Sequence, residues 1–156
     1  MRAEPPAQPS RLHIPPVFLA MSLALMVFLD QAFPLAEFIG KPYRYAGFVI
    51  IGLAVALAVW AALHFRRAGT NIHPHQPALA LVTGGPYRFT RNPMYLGMSG
   101  VLLGAAILMG SLTPFVVIPA FMAVLGERFI DAEEAKLEAA FGAPYLDYKS
   151  RVRRWL

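Results

Sequence analysis

Long apolar runs alternate with short polar stretches along this chain, and the runs have the length of membrane helices. A span needs about 20 residues to cross roughly 30 Å of hydrocarbon at the rise of an α-helix. The candidate runs are Val17–Phe33, with Asp30 near its far end, then Tyr45–Phe65, Met94–Gly110 and Pro114–Ile130. Between Phe48 and Leu63 there is no charged residue, whereas a helix of a soluble bundle needs a polar face. The third and fourth runs are joined by the tight Ser111-Leu112-Thr113 connection. Pro114 suits a first helical position, and Pro119 is expected to bend the fourth helix because it removes a backbone donor. Gly97, Gly100 and Gly104 lie on the third run, the last two in GxxxG spacing, which lets a neighbouring helix approach closely.

The expected fold class is all-α: a polytopic membrane helical bundle of about four transmembrane helices with a cytoplasmic C-terminal helical segment. One domain divides into a tail (1–16), two spans (17–65), a cytoplasmic loop (66–93), a helical hairpin (94–130) and C-terminal helices (131–156). Charge supplies the orientation. Arg66, Arg67, Arg88 and Arg91 share one loop, and Arg128, Lys136, Lys149, Arg151, Arg153 and Arg154 follow the last run. The Gln31–Arg44 loop has only Lys41 and Arg44, offset by Glu37. Basic residues collect on cytoplasmic sides, so both termini are expected in the cytoplasm, with the protein in a bacterial inner membrane. Met1–Pro16 lacks the pattern of a cleaved signal peptide and reads as a retained tail.

Composition agrees. Of 156 residues, 57% are hydrophobic and 15% charged, against roughly 25% charged in soluble domains. A net charge of +5 invites a nucleic-acid reading, but the basic residues sit beside spans, so none is expected as a partner. The absence of cysteine excludes disulfides, thiol nucleophiles and Cys-based metal sites.

Candidate chemistry gathers beyond the span ends. In Asn71-Ile72-His73-Pro74-His75-Gln76-Pro77, a proline between two histidines and no third ligand nearby argue against a metal. His73 reads instead as a loop histidine that hydrogen-bonds or stacks on a ligand, or as a solvated one. Gly84-Gly85-Pro86 is a turn that aims Tyr87, Arg88 and Arg91 toward the third helix, with Asn92 as its cap and Pro93 at its first position. Exposed N–H groups at such an end favour an anion; interfacial tyrosines and arginines are the plainer explanation. On the C-terminal helix, Ile130, Leu137 and Phe141 form a narrow apolar stripe flanked by Glu133 and Glu134, while Glu127, Asp131, Glu134 and Glu138 line one edge. A solvated acidic face is the usual cause of such a run. Carboxylates beside a docking stripe are costly unless they gain partners.

At Leu81-Val82-Thr83-Gly84-Gly85-Pro86-Tyr87, Arg91-Asn92-Pro93-Met94-Tyr95 and Glu133-Glu134 through Phe141-Gly142, Tyr145, Tyr148 and Val152, the chain resembles the isoprenylcysteine carboxyl methyltransferase and phospholipid methyltransferase superfamily. The family's Arg-His-Pro-x-Tyr element stands here with Asn92 for histidine, as in phospholipid-type members. The resemblance implies S-adenosyl-L-methionine as cofactor, methyl transfer to a lipophilic acceptor or lipid, and no metal. It implies cofactor binding by Gly85, Tyr87, Arg91, Asn92, Tyr95, Glu133 and Glu134; the loop histidine His73 is a further expected cofactor contact, and Arg91 and Glu134 are the expected catalytic residues. A membrane sterol-type reductase using NADPH shares the architecture and an Arg-His-x-x-Tyr element. The Glu133-Glu134 pair and Asn92-Pro93-Met94-Tyr95 favour methyl transfer. A non-catalytic membrane scaffold would bind no soluble cofactor.

Overall fold

The computed structural model describes residues 14–69 and 80–156. Its helices are α1 (Pro15–Ala32), α2 (Ala46–Arg67), α3 (Pro93–Met109), α4 (Val117–Leu125), α5 (Asp131–Phe141) and α6 (Ala143–Arg151). Short 3₁₀ turns at Tyr43–Tyr45, Gly85–Arg88 and Thr113–Val116 lead into or link them, and a π turn, Gly126–Ile130, connects α4 to α5. No strand occurs among the described residues beyond one isolated bridge, Glu37 to Ser111.

Sequence explains most boundaries. Pro15 and Pro16 occupy the first positions of α1, where a missing N–H costs nothing, and Pro34 follows its end. Gly110 closes α3 in the left-handed region at φ 86°, a conformation that favours glycine. The fourth run differs from expectation. Thr113 does not cap a helix at Pro114: its hydroxyl donates to the Phe33 carbonyl at 2.6 Å and accepts the Leu35 amide at 3.0 Å. The α-helix starts only at Val117, which puts Pro119 in its first turn rather than at an interior bend.

Two helical stretches, Pro15–Ala32 and Tyr43–Arg67, are long and apolar enough to cross a bilayer, and α3 is a shorter apolar helix. Both long stretches are mostly uncovered by the rest of the protein. Phe28, Phe48, Val49 and Leu53 are each at least 60% exposed. A soluble core helix would bury such residues; lipid is their natural neighbour.

The α2–α3 pair is the most extensive helix contact, and its backbones touch. A Cβ on Gly97 would lie 2.7 Å from the Ala54 carbonyl oxygen, and one on Gly104 would lie 2.7 Å from that of Gly47. The other side of α3 joins the core of Met26, Leu102, Ala106, Val117, Phe121 and Leu125. At one end of the bundle the α1–α2 loop folds onto the α3–α4 turn. There the Phe38 and Ile39 amides reach the Gly110 carbonyl at 3.1 and 3.2 Å, and Ser111 donates to Asp30. The opposite end gathers the last turn of α2, the first turn of α3, and α5 with α6.

Candidate functional site

The turn beside the cleft begins with a glycine. Gly85 adopts φ +59°, and a Cβ there would lie 2.6 Å from the His64 ring, so both conformation and space exclude a side chain. The turn that follows delivers Tyr87 against Phe65 of α2, ring centroids 5.1 Å apart. Tyr87 is 4% exposed, and its hydroxyl has no hydrogen-bond partner among the described residues. Its carbonyl accepts the Tyr148 hydroxyl at 2.7 Å, which ties α6 to the turn.

Asn92 occupies the cap position of α3, but its side chain does not cap the helix. Its amide group instead donates to the Arg154 carbonyl at 3.0 Å, while its backbone N–H is accepted by Thr90 Oγ1 at 3.2 Å. Arg91 reaches Glu134 at 3.0 Å, and its Nε is buried without a partner among the described residues. One turn into α3, the Tyr95 hydroxyl donates to Glu133 Oε1 at 2.6 Å.

The adjacent glutamates live in different surroundings. Glu134 is 5% exposed and carries a cluster of cations. Arg154 grips it with two N–H groups at 3.1 and 2.9 Å, Arg91 binds from the other side, and Lys149 stands at 3.5 Å. Glu133 has the Tyr95 hydroxyl instead. Burial pushes its carboxyl above the ordinary 4.5, opposed by the Tyr95 hydrogen bond and the Lys136 charge. Burial also raises the Tyr87 and Tyr148 phenols and takes Tyr145 to about 12, so all three stay protonated donors near neutrality. The π turn sets this arrangement: it shifts helical phase just before α5, a feature often found at functional sites.

The result is one cleft lined by Tyr87, Arg91, Asn92, Tyr95, Glu133 and Glu134 at its polar end. Phe65, Leu81, Val82, Met94 and Leu137 supply apolar wall. Its cavity volume is about 80 Å³, room for several waters at roughly 10–15 Å³ each. Six of the residues expected from the sequence thus converge. Gly85 does not line the cleft but shapes the turn beside it, and His73 lies outside the described residues. Along the acidic edge of α5 only Glu134 is buried; Glu127, Asp131 and Glu138 are exposed, Asp131 pairing with Arg154 at 2.9 Å and Glu138 with Lys149 at 3.4 Å. Sequence reasoning missed Thr90 and Arg154. Nothing in their local sequence marks Arg154 among its basic neighbours; only the unexplained acidic run at Asp131 and Glu134 called for such a partner. Among the described residues no cluster suits a metal ion.

Fold and cleft together define a helical membrane protein with a buried polar site at one end of its apolar helices. The family model for phospholipid methyltransferase matches residues 43–144, from the start of the second span to the start of α6. The chain belongs to that family of membrane methyltransferases. It is also 36% identical, over 63 residues, to an uncharacterized protein of Haemophilus influenzae; the match covers 40% of this chain and all of that protein.

Proposed function

We propose that the protein transfers a methyl group from S-adenosyl-L-methionine to a lipophilic acceptor at the membrane–cytoplasm interface. The observation that carries this reading is the meeting of the Tyr87–Tyr95 segment with Glu133 and Glu134 across one cleft, inside the stretch matched by the family. The cleft fits the cofactor's chemistry. Its unpartnered donors, Tyr87 Oη and Arg91 Nε, suit a carboxylate, and the Glu133 carboxyl suits an ammonium or ribose hydroxyl. When bound, the cofactor supplies a methyl group already activated on a sulfonium. The protein's own task is then to align the acceptor and exclude water.

In this account Arg91 holds the carboxylate, while Glu133, held by the Tyr95 hydroxyl, meets the ammonium or ribose hydroxyl. Gly85 gives the turn its left-handed bend and Asn92 fixes the start of α3, while His73, outside the described residues, stays a proposed cofactor contact. Glu134 holds Arg91 in its catalytic orientation. Leu81, Val82, Met94 and Leu137 offer an apolar wall to the acceptor. Four spans with both termini in the cytoplasm of a bacterial inner membrane suit the geometry. The α1–α2 loop and the α3–α4 turn share one end, and the cleft with most of the arginines takes the other.

A thermal-shift panel on the detergent-purified protein tests the cofactor. S-adenosylhomocysteine at 100 times its Kd should stabilise the protein by about 2.7 kcal/mol, as binding to the native state requires, and NADPH should do nothing. Stabilisation by NADPH alone would overturn the proposal.

A further inference from the structure

Beyond α6 the chain does not leave the molecule. At Val152 the backbone turns extended, and the segment that follows, bent again at Arg154, runs past the turn that carries Arg91. The Arg91 amide donates to the Arg153 carbonyl at 2.9 Å. The next carbonyl, of Arg154, accepts Thr90 Oγ1 and Asn92 Nδ2, each at 3.0 Å. Three successive residues of the turn thus hang from two carbonyls of this segment. The Arg154 side chain meanwhile locks onto Glu134 and Asp131 of α5, and Trp155 packs on the core.

Glu134 has no oxygen to spare. A carboxylate offers about four lone-pair sites. Oε1 receives Arg91 Nη2 at 3.0 Å and Arg154 Nε at 3.1 Å, and Oε2 receives Arg154 Nη2 at 2.9 Å and Lys149 at 3.5 Å. We infer that Val152–Trp155 is a strap that sets the Arg91 turn in place, fastened by the Arg154–Glu134 pair. Both of these are positioning residues that act through Arg91 and do not touch the bound molecule. The inference rests on the cleft being a cofactor site only in what Arg91 is positioned for. The strap itself is a property of the ligand-free protein.

The test uses the full chain in detergent with Arg154→Gln, Glu134→Gln, their double variant and Thr90→Val. Thr90→Val removes one hanging bond without disturbing the charge cluster, so it serves even if a charge variant fails to fold; because it also removes the acceptor of the Asn92 amide, exchange in this variant is read at the other amides of the segment. Hydrogen exchange of the Thr90–Tyr95 segment, without ligand, should speed up in every variant. Calorimetric affinity for S-adenosylhomocysteine should fall about tenfold or more in each charge variant, the size expected for a lost charged hydrogen bond. The double variant should match the worse single one within about twofold, because both changes cut one contact. Unchanged exchange in Arg154→Gln or Thr90→Val would overturn the strap. Parent-like affinity in Arg154→Gln beside a large loss in Glu134→Gln would make Glu134 a direct ligand contact instead. If the parent binds no S-adenosylhomocysteine, the cofactor reading fails, and the exchange data alone decide the strap.

Discussion

The α2–α3 seam and the cleft at its end are built on opposite principles. The seam excludes side chains: Gly97, Gly100 and Gly104 let α3 lie against Ala54 and Gly47 of α2, and van der Waals contact is what holds membrane helices together. The cleft crowds in large polar side chains, buries charge, and leaves Tyr87 Oη and Arg91 Nε without partners among the described residues. Such groups cost stability. The seam therefore supplies a rigid floor that fixes Tyr95 relative to Phe65, and the cleft carries the destabilising features a ligand can use. Changes in the seam should act on folding, and changes in the cleft on binding.

The largest effect belongs to the seam. Gly97→Leu forces a side chain into the Ala54 carbonyl, and overpacking of this kind costs about 1–3 kcal/mol or more. Thermal unfolding in detergent should show a large drop in Tm. Gly52 of α2 is the control, since a Cβ there would meet nothing within 4 Å. Gly52→Ala should hold or raise Tm, since helix propensity favours alanine by up to about 1 kcal/mol. Equal losses at both sites would break the contrast.

Within the cleft, Arg91→Gln should weaken S-adenosylhomocysteine binding by about 1.5–3 kcal/mol, the worth of a charged hydrogen bond, measured by titration calorimetry. Its Tm should fall far less than that of Gly97→Leu. An intact affinity would remove Arg91 from the site.

A smaller effect, of distinctive sign, comes from Glu133. Burial raises its carboxyl above 4.5, so the folded state holds this proton more tightly than the unfolded chain. Its contribution to stability is complete below pH 4.5 and is lost as pH rises through the folded-state value. The parent's Tm should decline across that window, and Glu133→Gln, which cannot titrate, should lack that part of the decline. Near neutrality the variant should be at least as stable as the parent while binding S-adenosylhomocysteine more weakly, the trade between stability and function expected of a site. Identical Tm profiles against pH would mean that Glu133 is not buried as a titrating acid.

The same contrast explains what could be read in the sequence. The seam was legible because its signal is local: glycines at fixed spacing on one apolar run state their purpose. The turn at Gly85, the Arg91–Tyr95 element and the Glu133-Glu134 pair were legible as candidates through their spacing and the family resemblance. The division of labour between the two glutamates was not. It depends on the π turn at Gly126–Ile130, which shifts helical phase without any proline or glycine pair to announce it. It depends equally on Arg154, brought to Glu134 by a turn at Gly142 and a second helix. Asn92 was correctly placed at the start of α3, yet its side chain is drawn to Arg154 because a tertiary acceptor outcompetes the local cap. Two spans follow from length and apolarity alone. The fourth run opens in a 3₁₀ turn, where Thr113 is occupied in binding the α1–α2 loop, and ends in the π turn, which no local sequence feature announces.

The central claim is methyl transfer to something lipophilic. The direct measurement supplies the purified protein with methyl-labelled S-adenosylmethionine and a bacterial membrane lipid extract, then partitions the products between water and organic solvent. The account predicts label in the organic phase, dependent on active protein and lost in Arg91→Gln. Label confined to the aqueous phase with a water-soluble acceptor, or no transfer alongside saturable NADPH binding, would contradict it.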